Sequence, residues 1–382
     1  MAGPLAGIRI VEFAGIGPGP FCGMMLADHG AEVIRIDRAS GSRGGSQPVT
    51  SKDVLARGRK SIALDLKSAE GVALARKLAA SADGIIEGFR PGVMERLGLG
   101  PEELLKDNPK LVYGRMTGWG QTGPYAPYAG HDINYIALAG ALAHFGRAGG
   151  KPTPPINMVG DFGGGGMMLA FGMVSALLSV ARGGEGQVID AAMTDGTAVL
   201  MAMIHGMTSM GVWSEELGVN MLDTGAHFYD TYETADGKFV SIGSIEPQFY
   251  AELRKRAGLE SDADFDAQHD RKQWPALKDK LTALFKSKTR AEWDALMEHS
   301  DVCYAPVLTI SEATHHPHNM ARGTFVEVGS ALQPAPAPRY SATRTAVPAP
   351  APLPGDDTDD ILEGLGMDED EIERLRVAGT IA

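Results

Sequence analysis

The sequence predicts an α/β protein with two domains: a parallel sheet covered by helices on both faces, and a smaller α+β domain. Three observations predict it. The first 120 residues alternate short apolar runs with helix-like stretches, the pattern of parallel strands joined by crossover helices. From about Phe228 the pattern changes to an antiparallel hairpin followed by helices rich in Trp, Leu and Lys. The length, 382 residues, exceeds what one core ordinarily holds.

Taken in order, strands are expected at 8–14 (IRIVEFA), 32–37 (EVIRID), 61–66 (SIALDL), 84–89 (GIIEGF) and 111–117 (LVYGRMT). Helices are expected at 21–30 and 70–82. A long apolar helix rich in Gly and Met covers 161–182, and a further strand covers 187–193. In FYDTYETADGKFVSIGS the hairpin turns at Asp236-Gly237, a pair that tolerates the positive φ angles of tight turns. Residues 333–355 are rich in Pro and Ala, an extended connector, and the acidic tail 356–382 holds two short helical patterns. No internal repeat is visible. The domain division is 1–195 for the first part of the large domain, a linker at 196–227, the small domain at 228–313, a second linker at 314–332, and a closing segment at 333–382.

Composition excludes several classes. A net charge of −13 argues against nucleic acid as a partner. Between Arg35 and Arg115, however, 15 Lys/Arg stand against 10 Asp/Glu, a local excess that suits a small polyphosphate-bearing ligand as well as it suits solvated helix faces. Two cysteines, Cys22 and Cys303, form neither a metal pattern nor a disulfide framework, which fits a reducing cytoplasm. The start lacks a basic and apolar leader, the end AGTIA is not a peroxisomal signal, and no apolar run reaches membrane-spanning length. The expectation is a cytoplasmic enzyme without membrane contact.

Several motifs invite a reading. GIGPGP (15–20) follows the first strand as a dinucleotide fingerprint would, but Pro18 and Pro20 withdraw backbone N–H groups that a pyrophosphate needs, so it reads as a rigid turn. DFGGGG (161–166) has kinase letters without a kinase's other motifs. Asp161 there reads as a helix N-cap, or as a carboxylate at a cavity wall where glycines leave room for a ligand. His315, His316 and His318 lack ligand spacing, and no metal is expected. The Gly/Pro-rich loop 118–135, ending at His131-Asp132, follows a strand and is where a site belongs. Glu246 precedes Pro247, as a helix-start carboxylate or as the partner of a histidine.

Six segments together, VEFAGIGPGPFCGMMLADHGAEVIRIDR, IEGFRPGVMERLGLGP, GWGQTGPYAPYAGHDINYIALAGAL, NMVGDFGGGGMM, GEGQVIDAAMTDG and SIGSIEPQFY, resemble in content and order the α-methylacyl-CoA racemases of the class III CoA-transferase superfamily. The resemblance continues to the closing ILEGLGMDEDEIERL. It implies a Rossmann-like large domain formed by both chain ends, an inserted small domain, and an interlocked homodimer whose site lies between one subunit's large domain and the other's small domain. It implies His131 and Asp161 as the two bases and Glu246 as the partner of the histidine. CoA contacts are implied at Arg38, Ala63, Leu64, Asp65, Leu66, Arg90 and Arg96, and at Gly130, Asp132, Ile133, Asn134 and Tyr135, with no cofactor beyond the CoA of the substrate. The family often has Pro at the position of His227. The expected reaction interconverts (R)- and (S)-2-methylacyl-CoA through an enolate. The alternatives are a class III CoA-transferase that uses Asp132 as covalent nucleophile, and a non-catalytic CoA-binding protein.

Overall fold

The computed structural model describes residues 3–40 and 50–382. It forms two units. The first takes in the described residues of Met1–Ala139, Ile156–Met201 and Gly323–Ala382. The second comprises Gly140–Pro155 and Ala202–Arg322. This differs from the sequence division at three places: 140–155, most of the linker 196–227 and the stretch 314–322 all belong to the second unit.

The first unit is built on six parallel strands: β1 (Arg9–Phe13), β2 (Glu32–Arg38), β3 (Arg59–Leu64), β4 (Gly84–Glu87), β5 (Val112–Thr117) and β6 (Gln187–Ala192), in the order β3-β2-β1-β4-β5-β6. Parallel strands covered on both faces carry near-continuous apolar runs, and Ile10, Val11, Ile34, Ile36, Ile62, Ile85, Ile86 and Val112 are buried accordingly. Between them lie α1 (Pro18–Asp28), α2 (Ala69–Ala80), α3 (Val93–Arg96), α4 (Pro101–Asp107) and α5 (Asp132–Leu138). α1 starts three residues before the expected position, because Pro18 occupies the first helical turn, where a missing N–H costs nothing.

The long apolar helix differs from expectation in two ways. It begins earlier, with Met158–Met167 wound as a π-helix that continues into α6 (Met168–Ala181). Together, Met158–Ala181 are long and apolar enough to cross a membrane by length and composition, which corrects the expectation that no run reaches that length. Here the helix lies on the sheet, where Leu169, Met173 and Leu177 join a core with Val112, Met116 and Ala191. α7 (Met193–Leu200) follows β6.

The chain end completes this unit. After the hairpin β10–β11 (Phe325–Val328 and Ala331–Pro334), α14 (Thr358–Gly364) and α15 (Glu369–Val377) pack Ile361, Leu362, Ile372 and Leu375 into the core beside α2 and β3. Asp357 accepts the Ser61 N–H at 2.8 Å, and Asp65 donates its N–H to Thr380 O at 2.8 Å.

In the second unit α8 (Ala202–Ser209) precedes an antiparallel sheet of β7 (Tyr229–Glu233), β8 (Phe239–Gly243) and β9 (Tyr304–Val307), in the order β7-β8-β9. The hairpin turns at Asp236-Gly237, with Gly237 at φ 73°. α9 (Pro247–Ala257), α10 (Trp274–Phe285) and α11 (Arg290–Met297) cover one face around Phe228, Trp274, Phe285 and Trp293. The short α12 (Ile310–His315) and α13 (Pro317–Arg322) close the unit.

Candidate active site

A cavity of about 690 Å³ opens in the first unit beyond the carboxyl ends of β1, β4 and β5. In an open parallel sheet, ligands bind where the strand order reverses, and here that point lies between β1 and β4. The GIGPGP turn supplies one wall, Gly88–Pro91 a second, Thr117–Trp119 with the 126–131 loop a third, and Asn157 with Asp161 a fourth. Gly17 stands at φ 70°, and a Cβ there would lie 3.4 Å from Asp161 Oδ2, so the turn approaches the carboxylate closely.

His131 is the N-cap of α5 and is exposed, and its backbone N–H donates to Asn134 Oδ1 at 3.0 Å. Tyr135, one turn on, is buried edge-to-face on Trp119 at 4.7 Å and donates its hydroxyl to Gly130 O. Burial pushes that phenol up to about 12, so it is a neutral donor near pH 7. A Cβ on Gly118 or Gly130 would collide with the Tyr135 ring, which is why the loop bears glycines there.

Asp161 reaches the cavity from the first turns of the π-helix, half-buried. It is not the N-cap; Asn157 is, and the Asn157 amide donates to Asp161 Oδ2 at 3.0 Å. Asp161 N–H donates to Asp132 Oδ1 at 2.8 Å. Burial raises the Asp161 carboxyl above the ordinary range, the Asn157 hydrogen bond opposes this, the neighbouring Asp132 charge adds to it and His131 opposes it. Asn157 was missed in the sequence. The available signal was its spacing of four from Asp161, one helical turn.

The glycines of the 161–166 run do not widen the cavity. A Cβ on Gly164 would press on Thr197, and one on Gly165 on Pro18 and Met193; one on Gly166 would meet Phe21. They let α1 and α7 approach the π-helix.

The cavity unites Arg38, Arg90, Gly130, His131, Tyr135 and Asp161. Ala63 and Leu64 are buried in β3, and Asp65 and Leu66 follow them half-buried beneath the chain terminus. Arg96 is exposed at the end of α3, away from the cavity wall. Asp132 lies behind the wall, and Ile133 and Asn134 are exposed on α5. Glu246 belongs to the second unit, exposed at the N-cap of α9 with no side-chain capping bond. His227, also there, is fully buried, shares a 2.7 Å hydrogen bond with the Tyr250 hydroxyl, and is held near 3 by burial. Among the described residues no cluster of His, Cys, Asp and Glu is arranged to hold a metal. Met116 and Met193 also line the cavity.

The sequence profile described as "CoA-transferase family III" matches residues 5–358. The chain belongs to that family. It is 49% identical to the α-methylacyl-CoA racemase of Mus musculus and 46% identical to that of Homo sapiens, in each case over 97% of this chain and 96% of the relative. A crystal structure of a CAIB/BAIF family protein from Brucella suis superposes with a TM-score of 0.82 at 26% identity, covering 96% of this chain and all of that one.

Proposed function

We propose that this family member is a racemase that interconverts (R)- and (S)-2-methylacyl-CoA thioesters. The observation that carries the reading is that His131 and Asp161 share one cavity, with the Asp161 carboxyl raised by burial. The identity to relatives named as racemases supports it.

A thioester acidifies its α-carbon because the carbanion delocalises as an enolate. Inverting that centre needs a base on each face: one group takes the proton while the conjugate acid opposite returns another. A histidine and a carboxyl raised by burial suit this exchange of roles between acid and base. In one direction Asp161 is the base and His131 the acid; in the other the roles reverse. The first N–H groups of α5, notably that of Asp132, are the proposed donors to the enolate oxygen. Arg38 and Arg90 at the rim suit CoA phosphates. CoA enters as part of the substrate, and no other cofactor is invoked.

The homodimer belongs to this proposal, with Glu246 serving the His131 of the other subunit. Its support is the apolar surface left on the first unit: Phe171 is 73% exposed and Val199 60%, with Leu178 and Leu200 about half exposed. A monomer by light scattering at micromolar concentration would contradict it. A cytoplasmic location is proposed on the two unpaired cysteines.

The test is isotope exchange. A 2-methylacyl-CoA incubated with the protein in D2O, with no acceptor acid, should take up deuterium at the α-carbon and lose its optical purity. Absence of exchange sinks the racemase reading.

A further inference from the structure

Asp132 is the residue a CoA-transferase would use as nucleophile, and its surroundings are unlike those of a nucleophile. It is 7% exposed and does not line the cavity. Oδ1 accepts the Asp161 N–H at 2.8 Å. Oδ2 is buried and has no hydrogen-bond partner among the described residues. A Cβ on Gly160 would overlap Oδ1, so the glycine before Asp161 makes room for the carboxylate. The first N–H groups of a helix have no partner within it, and Asp161 donates one of these. Asp132 therefore caps the π-helix from another element of the fold.

A buried carboxylate with one bare oxygen is costly to keep, and no Lys or Arg pairs with it among the ion pairs of the described residues. We propose that Asp132 is a positioning residue: its carboxylate caps the helix that carries Asp161 and stands beside Asp161 as a like charge, and it does not attack the thioester. The proposal rests on the racemase reading and deepens it. The groups facing Asp161 are few. Asp132 and His131 come from the start of α5, Asn157 from its own helix, and the Tyr135 hydroxyl feels the Asp161 charge. α1 faces this helix with Pro18 and Phe21, and α7 with Met193, Gly196 and Thr197, none of them charged. Asp195 of α7 is exposed. Among the described residues Asp132 is thus the one carboxylate beside Asp161, and it adds to the larger raising effect of burial.

Asp132→Asn keeps an oxygen for the Asp161 N–H and removes the charge. In this variant Asp161 should ionise more readily, and the low-pH limb of α-proton exchange, where a carboxyl must ionise to act as base, should move down by roughly one pH unit. Its plateau should fall severalfold as Asp161 becomes a weaker base. The Asp161 carboxyl signal in the NMR spectrum of 13C-aspartate-labelled protein, assigned by its loss in Asp161→Asn, should move the same way. A merely structural role would lower the rate at every pH and leave both titrations in place; a folded Asp132→Asn with unmoved titrations overturns the proposal. Should that variant not fold, Asp132→Ser serves for the same two readings. Hydroxylamine added to turning-over wild type should leave it active, and a hydroxamate found at Asp132 by mass spectrometry overturns the proposal without any variant. If wild type exchanges no α-proton, the racemase reading fails, while the NMR titration still decides the role of Asp132.

Discussion

Two polar clusters in the first unit use charge in opposite ways. Behind α1, side chains of β1, β2 and β3, with Asp28 from the end of α1 and Arg57 just before β3, form a dry ionic layer. Glu12 and Arg59 pair at 3.0 Å with both side chains fully buried, Arg57 and Asp28 pair at 2.6 Å, and Arg35 and Asp37 at 3.1 Å. Arg59 also donates to Pro20 O, which ties the layer to the turn that walls the cavity. At the cavity itself the carboxylate of Asp161 has one amide donor, a like charge beside it and, among the described residues, no arginine bonded to it. The first cluster pairs each of these carboxylates with an arginine out of water. The second leaves a carboxyl able to change state, which is the requirement for proton transfer. The comparison also changes the meaning of the local basic excess. Arg35, Arg57, Arg59 and Arg115 are committed to buried carboxylates and are not free for a polyphosphate ligand, whereas Arg38 and Arg90 line the cavity.

The largest expected effect breaks the labile cluster. Asp161→Asn removes one of the two proposed bases and should cost ~10²–10⁴ in racemisation rate. CoA affinity, measured by calorimetry, should stay close to wild type. A parallel loss of affinity would make Asp161 a structural residue instead.

The fixed cluster should fail in a different currency. Glu12→Ala leaves the Arg59 guanidinium buried without its partner, and breaking such a pair costs about 3–5 kcal/mol of folding stability. Denaturant unfolding should register that loss, while the α-exchange rate per folded molecule changes only severalfold. If the rate instead falls as far as in Asp161→Asn with stability intact, the layer is part of the site and the division drawn between the clusters is wrong.

The two clusters were not equally legible in the sequence. The parallel sheet was readable strand by strand, because buried strands advertise themselves as apolar runs such as IRIVEF and GIIE. The hairpin at Asp236-Gly237 was readable from its turn chemistry. The third strand beside it, Tyr304–Val307, was missed, because a proline interrupts the run and its pairing partner lies some sixty residues earlier. Charge was misread for the same reason. A basic residue in the sequence carries no label for the carboxylate it meets: Arg57 finds Asp28 across 29 residues and Gln333 across 276. His131 and Asp161 were legible only through the ordered motifs around them, and the π-helical winding that sets Asp161 back from the N-cap left no readable mark.

The smallest effect sharpens the comparison most, because it tunes Asp161 without removing it. Asn157→Ala deletes the amide that stabilises the charged form of Asp161, a charge-assisted hydrogen bond of about 1.5–3 kcal/mol at most. That bond lowers the Asp161 carboxyl against the raising effects of burial and of Asp132. Its loss should therefore raise the carboxyl further and carry the low-pH limb of α-exchange upward, opposite in sign to the shift expected for Asp132→Asn. Above the new limb the rate should be sustained or slightly higher, since a carboxylate of higher proton affinity is the stronger base. Below it, at a pH where wild type still exchanges, the variant should be the slower enzyme. A pH–rate profile of Asn157→Ala that moves down, or does not move, would mean that the amide orients Asp161 without setting its charge. The labile cluster would then owe its protonation to burial and Asp132 alone.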